Sequence, residues 1–515
     1  MLYLIVNKPI LHPVYLIKEE KGDKWKYVKL GGQLVLALTI KRGIDWVRGG
    51  VEYTYLGLIL VWAVPFLFLL WTLAYQFLVG LPVTSTLVPI LLPTLYLWVV
   101  DTLAMQRGTW VIEAGTKTGW TLWPGLEIEE ALFFLLTNCL ITFGLIAFDN
   151  AIAILDALPA HFRRSPALPS PALLVRALLL PARTYDDDRI LGLQQAVKRL
   201  QMKSRSFYAA SSTFERRLRI DLILLYSFCR VADDLIDNAK SASEAAEWVQ
   251  KLRKYLDFCY GGSRKLPDGT LIKPTDVNQG SATLYVVNQF PPETQLTLIL
   301  LPTQQLGKEP LYELLKGFEM DLMFDAKTPA GPIKTESDLD VYGARVAGTV
   351  ALLCIQLVLH HYPGVSDAKA KRLMTAGHDM GIALQYTNIA RDLQVDAGDG
   401  RCYVPSAWLK KEKLTTESFI AGLKASSLDD FFAKKVETIR GRLLGRSFHF
   451  YDGSVAVIEE LPREARAPMR TAVQSYMQIA RELQRPGYKV KAGRATVPVW
   501  KRIWVAWRSM TGPRS

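Results

Sequence analysis

The sequence is poor in the residues that form disulfide bonds and bind zinc. Only five cysteines and six histidines occur among 515 residues, and no two cysteines form a Cys-x-x-Cys pair. This distribution argues against a disulfide framework or a zinc site, and it fits a reducing compartment. A metal site in this chain is therefore expected to use carboxylates, which favours Mg²⁺ or Mn²⁺.

Charged side chains are missing from one long stretch of the N-terminal part. Residues 53–100 contain no Lys, Arg, Asp, Glu or His, and this length is sufficient to cross a bilayer twice. Hydrophobicity predicts three transmembrane helices: residues 55–80, 82–100 and 131–148. Residues 1–15 are interpreted as the end of another helix, and residues 31–40 as too short to span alone.

Basic residues outnumber acidic ones, and the formal net charge is +13. A basic surface fits an anionic membrane face, an anionic substrate or nucleic acid. Basic residues flank the predicted membrane helices on both sides, so the positive-inside rule does not choose an orientation.

A proline-rich hinge divides the chain. Residues 159–181 hold five prolines, and after Asp186 helical periodicity with capping residues dominates through Met510, with loops expected at 261–280 and 328–335. The predicted fold class is all-α, with an N-terminal transmembrane helical domain at 1–155 and a linker at 156–187. An all-α bundle of about ten or more helices is expected at 188–515.

Two groups of acidic residues in the second half repeat at helical spacing. Asp233 and Asp237 share one helix face, and Asn388, Asp392 and Asp396 share another. Buried carboxylates need partners, and two such faces across a bundle would form an oxygen-lined site for Mg²⁺ and phosphate. Arginines that can fork onto phosphate oxygens lie close in sequence: Arg230, Arg391 and Arg401. A solvated face with ion pairs is the simpler interpretation of one such motif, and a di-iron site would need Glu-x-x-His pairs that are absent here.

Residues from about 188 to 500 resemble the squalene/phytoene synthase family, the head-to-head prenyl transferases. Five motifs occur in the family order: SRSFYAAS at 204–211, YSFCRVADDLIDN at 226–238, GFEMDL at 317–322, YGARVAGTV at 342–350 and LQYTNIARDLQVD…RCYVP at 384–405. The resemblance implies an isoprenoid-synthase-type bundle. It also implies condensation of two geranylgeranyl diphosphates, through a cyclopropyl (prephytoene) diphosphate, to phytoene.

The same resemblance assigns roles to individual residues. It implies that Mg²⁺ is held, and catalysis supported, by Asp233, Asp237, Asn388, Asp392 and Asp396. It implies that substrate is bound by Ser206, Phe207, Tyr226, Arg230, Tyr342, Gln385, Asn388, Arg391, Arg401 and Tyr403. Asp234 fills a position that varies, and Val395 stands where relatives often carry Glu. The walls of a dry tunnel for the prenyl chains are expected at Phe207, Tyr226, Tyr342, Val346, Ala347 and Gly348.

Two glutamates lie at the start of the third predicted membrane helix. Glu129 and Glu130 could simply mark a water-exposed helix start, but ionisable groups at membrane depth are candidate functional residues. Residues 2–155 are similar to the lycopene cyclase domain of carotenoid-making fungi, with Glu127 at a position where that family has proline. The resemblance implies that Glu129 and Glu130 act in acid–base catalysis on lycopene. Aromatic side chains at Trp110, Phe133 and Phe134 would shelter a carbocation.

The lycopene cyclase domain of the family contains two three-helix repeats. This sequence carries one complete repeat and only the tail of the other, which predicts an N-terminally truncated chain that cyclises lycopene poorly without a partner. Monofunctional phytoene synthase with a vestigial anchor, a non-catalytic membrane scaffold and, more weakly, squalene synthase are the alternatives.

The resemblance to fungal bifunctional lycopene cyclase/phytoene synthases also implies partners and a location. Geranylgeranyl diphosphate, lycopene and the lipid bilayer are expected partners, other carotenoid enzymes are candidates, and nucleic acid is not expected. The protein is predicted to be a multi-pass membrane protein whose synthase domain faces the cytosol.

The C-terminal stretch VWKRIWVAWRSM places three tryptophans on one helix face. Trp500, Trp504 and Trp507 recur at i, i+4 and i+7, with basic residues alongside. This pattern predicts either an amphipathic helix on an anionic membrane surface or a helix whose tryptophans pack on the core of the second domain.

Overall fold

A computed structural model describes residues 3, 22–50, 52–110, 112, 115–163, 165–166, 168–261, 276–324, 331–425, 429–485, 488 and 497–512. The chain divides into two compact units, Met1–Gln194 and Gln195–Ser515, called here the N-terminal and the C-terminal unit. Helices dominate both units, as the sequence predicts. The domain limits 1–155, 156–187 and 188–515 stay a prediction.

Four long helices form most of the N-terminal unit: α1 (Gly22–Gly49), α2 (Thr54–Gly80), α3 (Val83–Gln106) and α4 (Ile128–Ala157). The last three have the length and composition to cross a membrane. They match the three predicted spans, except that Pro82 precedes α3, and they extend them, α4 by nine residues at its C-terminal end. Prolines at 65, 89 and 93 lie inside α2 and α3, where neighbouring groups can satisfy the freed backbone oxygens.

Small residues bring α1 and α2 close together. A Cβ atom at Gly57 would lie 2.8 Å from the carbonyl oxygen of Gly43, and a Cβ at Gly32 would overlap the indole of Trp71. Glycine at such positions allows helix backbones to approach closely, as is common in membrane helix pairs. Helix α1 contains the segment 31–40, which the sequence analysis did not extend into a long helix. Except for Tyr3, the predicted helix end at 1–15 lies outside the described residues.

A short antiparallel hairpin precedes α4. Strands β1 (Thr121–Trp123) and β2 (Leu126–Glu127) pair through Thr121–Glu127 and Trp123–Leu126, with Gly125 at φ +91° in the turn. The sequence analysis did not predict this hairpin.

A short helix, α5 (Pro171–Leu178), follows within the stretch predicted to be a linker, and it begins with a cap in which Ser170 accepts from the Leu173 amide.

The C-terminal unit is an α-helical bundle. Helix α6 contains the unit boundary, and the remaining helices follow in chain order: α6 (Asp187–Lys203), α7 (Arg205–Ser211), α8 (Arg216–Asp237), α9 (Ala242–Tyr260), α10 (Asp276–Gln289), α11 (Pro292–Ile299), α12 (Lys308–Asp321), α13 (Glu336–Gly343), α14 (Thr349–His361), α15 (Asp367–Gly398), α16 (Ser406–Lys411), α17 (Thr416–Lys424), α18 (Asp430–Ser454), α19 (Arg463–Leu483) and α20 (Val499–Thr511). Of the predicted loop 261–280, residues 262–275 lie outside the described part, and α10 begins at Asp276. Of the predicted loop 328–335, residues 331–335 are described and are not helical.

A π-helical segment, Ala344–Gly348, joins α13 to α14 within the YGARVAGTV motif. Such segments occur mostly as single turns and are frequent at functional sites. Glycine lets the long helix α15 approach this segment, since a Cβ at Gly381 would lie 2.5 Å from the Ala347 carbonyl oxygen. The continuous helix from Glu336 to His361 is also apolar enough to span a membrane. Its side chains Leu339, Leu353, Leu357 and Val358 are instead part of the buried core of the bundle.

Candidate functional site

A deep apolar cavity of about 360 Å³ lies inside the C-terminal unit. Its walls come mainly from α7, α8, the π segment, α14, α15 and α19. Residues named by the sequence analysis that line it are Phe207, Tyr226, Val346, Ala347, Gln385 and Asn388. Tyr342 and Gly348 are not in the lining. Tyr342 instead stacks on Tyr403, and a Cβ at Gly348 would meet the ring of His378.

Two helices run from this cavity to the acidic residues. On α8, the cavity-lining Tyr226 and Cys229 are followed one turn later by Asp233 and then by Asp237. On α15, the cavity-lining Gln385 and Asn388 are followed by Asp392 and Asp396. The four-residue spacing keeps each set on one helix side. Each helix therefore runs from the cavity to a set of carboxylates in the same direction, towards its C-terminus.

Arginines neutralise part of the charge on α8. Arg230 donates from Nη1 to Asp233 Oδ2 at 2.8 Å and from Nη2 to Asp234 Oδ1 at 2.6 Å. Lys203 Nζ lies 3.4 Å from the same Asp234 oxygen. Arg401, which follows α15, donates from Nη2 to Asp237 Oδ1 at 3.1 Å. The Arg401–Asp237 pair thus joins the two sequence motifs directly.

The acidic face of α15 has a more enclosed ion pair. Arg391 forks onto Asp392, with Nε donating to Oδ1 at 2.8 Å and Nη2 donating to Oδ2 at 2.5 Å. Both side chains are largely buried, which strengthens such charge-assisted bonds. Asn388 donates from its amide to Gln385 Oε1 at 3.2 Å. Most of the residues predicted to bind metal or phosphate therefore form hydrogen bonds or ion pairs with one another in this structure.

Two residues that the sequence analysis did not single out belong to this site. Asp321, the last residue of α12, accepts a hydrogen bond from the Tyr403 hydroxyl at 2.9 Å. Tyr476 on α19 donates its hydroxyl to Asn388 Oδ1, stacks on Phe207 at 5.3 Å between ring centroids, and lines the cavity. Asp321 lies within the quoted motif GFEMDL, so that motif could have identified it. Tyr476 lies in no motif.

Three carboxyl groups have pKa values well above those of free aspartate. Burial raises the pKa of Asp233 to about 7, with the charge of Asp237 adding to the effect and Arg230 opposing it. Burial and the charges of Asp392 and Asp399 raise the pKa of Asp396 to about 8. Burial raises the pKa of Asp321 to about 6, although the Tyr403 hydrogen bond opposes this. The arginines therefore leave negative charge insufficiently compensated in this region.

The donor set fits a hard divalent cation. All of the candidate ligands offer oxygen atoms, and the raised pKa values show that further positive charge would be favourable. Across the described residues, no three His, Cys, Asp or Glu side chains are already arranged so that they could hold a metal ion together. Mg²⁺ in proteins commonly uses one or two carboxylates and completes its shell with phosphate oxygens and water. The two acidic faces fit that kind of site rather than a closed protein cage.

The remaining predicted substrate residue of this unit is Ser206. It lies in α7, next to Phe207, but its side chain is outside the described part of the structure. Phe207 and Tyr226 are near neighbours, with ring centroids 6.1 Å apart.

A second acidic cluster lies in the N-terminal unit, at the start of α4. Glu129 is fully buried and accepts from the Thr118 amide at 2.6 Å and from the Thr118 hydroxyl at 2.8 Å. Glu130 is 9% exposed and accepts from the Tyr55 hydroxyl at 2.7 Å. The interpretation of these glutamates as a water-exposed helix start is therefore wrong. Glu127, in contrast, pairs with Lys117 at 2.7 Å.

Asp101 on α3 is a member of this cluster that the sequence analysis missed. It is 1% exposed, accepts from the Trp110 indole at 3.1 Å, and interacts electrostatically with Glu130. In the described part of the chain, Asp101 Oδ2 and Glu129 Oε2 are buried without a hydrogen-bond partner. A single Asp at the end of an apolar segment carries no spacing signal, which is why the pattern did not reveal it.

Aromatic side chains surround the start of α4. Phe133 stacks on Trp62 at 5.6 Å and meets Phe134 edge-on at 5.5 Å. Trp98 donates its indole N–H to the Ala131 carbonyl at 2.9 Å, so α3 is fixed against the first turn of α4. Trp110 reaches the cluster through Asp101 rather than through the two phenylalanines. Buried carboxylates beside aromatic faces form a site that can donate a proton and stabilise a cation.

Known proteins resemble this chain in both the N-terminal and the C-terminal unit. Residues 200–501 match the squalene/phytoene synthase family, whose members generally depend on a divalent metal. The chain is 52% identical over 513 residues to the bifunctional lycopene cyclase/phytoene synthase of Leptosphaeria maculans, a match that covers 99% of this chain and 84% of that protein. The corresponding protein of Neurospora crassa is 44% identical over 522 residues, covering 99% of this chain and 85% of that one.

Among solved structures, a dehydrosqualene synthase in complex with ligand matches 63% of this chain and 98% of its own, at 20% identity and a TM-score of 0.46. The identity to the fungal relatives extends over nearly the whole chain and so includes both the membrane helices and the α-helical bundle. The chain belongs to the family of bifunctional lycopene cyclase/phytoene synthases.

Proposed function

We propose that the C-terminal unit joins two molecules of geranylgeranyl diphosphate head to head, through prephytoene diphosphate, to give phytoene. One observation carries this proposal: α8 and α15 both run from an apolar cavity to a set of carboxylates and arginines. A prenyl diphosphate has the same two parts, an apolar chain and an anionic end. The cavity takes the chains, and the acidic end takes the diphosphates.

Each group of side chains has a distinct part in the proposed reaction. Asp233, Asp237, Asn388, Asp392 and Asp396 are the proposed metal ligands, with Mg²⁺ (or Mn²⁺) as the ion. The chemistry that the bound ion supplies is neutralisation of the diphosphate, which makes it a better leaving group. Arg230, Arg391 and Arg401, now paired with aspartates, are the proposed phosphate ligands. Phe207, Tyr226 and Tyr476 keep water from the allylic cation and offer aromatic faces to it.

The test is incubation of the purified full chain with geranylgeranyl diphosphate and Mg²⁺, followed by product analysis. Phytoene as the main product supports the proposal. Squalene-type reduction products on addition of a nicotinamide cofactor would favour the squalene synthase alternative. Absence of any condensed product would favour the scaffold.

We further propose that the N-terminal unit contributes to cyclisation of lycopene. The specific observation in favour is the buried cluster of Glu129, Glu130 and Asp101, held by uncharged donors beside Phe133 and Phe134. A carboxylic acid in such surroundings can protonate a terminal double bond, and a neighbouring carboxylate can remove a proton afterwards. Ring formation from lycopene by membranes containing the full chain tests this proposal. Its absence with phytoene formation intact would favour the monofunctional enzyme.

We propose that the chain is a multi-pass membrane protein with α2, α3 and α4 as spans and the C-terminal unit in the cytosol. The five cysteines are free thiols, which fits a reducing compartment. Protease accessibility of the C-terminal unit in sealed vesicles of known orientation would decide the orientation. Other carotenoid enzymes remain candidate partners.

A further inference from the structure

The last helix of the C-terminal unit presents an apolar face to solvent. Trp500, Ile503, Trp504 and Trp507 on α20 are between 53% and 66% exposed. They recur at i, i+3, i+4 and i+7 and therefore form one stripe along the helix. Trp504 and Trp507 contact each other, with ring centroids 5.1 Å apart. The interpretation in which these tryptophans pack on the core of the second domain is therefore wrong.

The opposite face fixes the helix in this orientation. Val505 and Ser509 are buried, and Arg470 donates from Nη1 to the Ser509 carbonyl oxygen at 2.7 Å. Lys501 Nζ lies 2.9 Å from Glu482 Oε1. Rotation of α20 to bury the tryptophans would break both contacts. The exposed stripe is thus a property of how the helix is packed.

The charges around the stripe are all positive. Helix α20 contains Lys501, Arg502 and Arg508 and no acidic residue. Lys501 is paired with Glu482, whereas the ion pairs of the described residues include none for Arg502 or Arg508. Arg508 is exposed and borders this apolar, tryptophan-rich face, whereas Arg502 lies towards the packed side of the helix, where its Nε is buried. This combination is typical of helices that lie in the interface of an anionic bilayer.

We propose that α20 lies in the headgroup layer of an anionic bilayer, with the tryptophan face towards the acyl chains. Indole combines a large apolar surface with one N–H donor, and the membrane interface satisfies both. A second copy of the chain is a poorer occupant. Its own Arg508 would approach that of the first copy, and like charges at an interface are unfavourable. Four half-exposed side chains also offer less than the roughly 800 Å² per partner of a stable protein interface.

The test uses the full chain in lipid nanodiscs that contain zwitterionic and anionic lipids, with or without brominated acyl chains. The chain has 13 tryptophans, so the signal of the stripe is obtained by subtracting the emission of a Trp500→Phe/Trp504→Phe/Trp507→Phe variant. Phenylalanine keeps the face apolar and removes its indole emission. We expect brominated lipid to remove most of this difference signal. A difference signal that brominated lipid leaves unchanged overturns the proposal, and acrylamide then distinguishes a face in water from one covered by protein.

Two further variants keep the experiment specific. Trp408 is 3% exposed within the same unit, so the difference signal of Trp408→Phe should resist both quenchers. Arg508→Gln should lower quenching of the stripe in anionic nanodiscs towards the level in purely zwitterionic ones. Equal quenching of this variant and the unmodified chain in anionic nanodiscs would reject the electrostatic part of the proposal. Circular dichroism of each variant checks that the fold is retained.

Discussion

Both units of the protein bury carboxylates, but they surround them with different partners. In the C-terminal unit, Asp392 and Asp233 are paired with Arg391 and Arg230. In the N-terminal unit, Glu130 is held by the Tyr55 hydroxyl instead, and Glu129 and Asp101 likewise have uncharged donors. Cations around a carboxylate oppose its protonation, and a metal ion can take their place. Uncharged donors leave the proton as the simplest neutralising partner. The difference matches one site that handles diphosphate and one that handles protons.

The largest effect is expected when a proposed metal ligand of the C-terminal unit is removed. Asp392→Asn or Asp233→Asn should lower phytoene formation by at least about a hundredfold, since changes that merely disturb a ligand already cost 10–100-fold. Far-ultraviolet circular dichroism should be unchanged, and product formation from geranylgeranyl diphosphate measures the loss. Asp379→Asn is the matched control, because Asp379 lies on the same helix, about two and a half turns before the cavity-lining Asn388. Near-normal turnover of either ligand variant at low Mg²⁺ would contradict the metal assignment.

The corresponding change in the N-terminal unit, where the carboxyl groups have uncharged hydrogen-bond donors, is Glu130→Gln. The amide keeps the shape and can still accept from Tyr55, but it cannot deliver a proton. Ring formation from lycopene should fall by about 10²–10⁴-fold, the usual contribution of general acid–base catalysis, while phytoene formation stays unchanged. Glu52→Gln, at an exposed carboxylate before α2, serves as the control. Equal loss in both variants would show that the cluster has only a structural part.

The raised pKa values of the aspartates in the C-terminal unit predict that Mg²⁺ binding depends on pH. In the metal-free protein the pKa values of Asp233 and Asp396 are about 7 and about 8, so both groups carry much of their proton at pH 7. Mg²⁺ must displace these protons, and its binding should release roughly one to two of them. Mg²⁺ affinity should therefore fall as pH decreases from 8.5 to 6, by up to about tenfold per pH unit for each proton displaced.

The same raised pKa values have a consequence for stability. A carboxyl group whose pKa is raised by folding contributes stability that is fully present below its unfolded-state pKa of about 4, and this contribution is lost as pH rises from there to the folded-state pKa. The metal-free protein should therefore unfold more readily as pH rises from about 4 to about 8, and Mg²⁺ should restore its stability. Calorimetric titration in buffers of different ionisation enthalpy counts the protons. Binding without proton release would mean that these two aspartates are not ligands.

The smallest effects are expected for a matched pair of tyrosines. Tyr55→Phe and Tyr403→Phe each remove one phenol that donates to a carboxyl group, at 2.7 Å to Glu130 and at 2.9 Å to Asp321. Loss of one such bond costs about 1–3 kcal/mol when the acceptor stays buried. The effect should be larger for Tyr55, because Arg401 still acts electrostatically on Asp321. Thermal unfolding together with the two product assays measures both variants, and a larger effect at Tyr403 would reverse the comparison.

The sequence predicted these two sites to different extents. Repeated spacing revealed Asp233, Asp237, Asp392 and Asp396, because a four-residue repeat is a helix-surface pattern that needs no tertiary information. Tyr476 and Asp101 enter their sites only through packing, and a single polar residue on a helix has no period. Asp321, in contrast, lies in the quoted motif GFEMDL and could have been named from it. The hairpin at 121–127 was missed for a similar reason, since strands of two and three residues are too short to show alternation. Helix α1 was missed because glycines and charges interrupt its apolar residues.

The direction of α8 and α15 has one more consequence. The acidic residues lie in the last turns of both helices, where the unpaired carbonyl groups place roughly half an elementary negative charge at each C-terminus. The helix dipoles therefore add to the carboxylates and make the electrostatic potential at the mouth of the cavity unfavourable for an uncomplexed diphosphate. Substrate should thus enter together with its divalent ion, or after it, and the order of binding follows from the way in which two helices point.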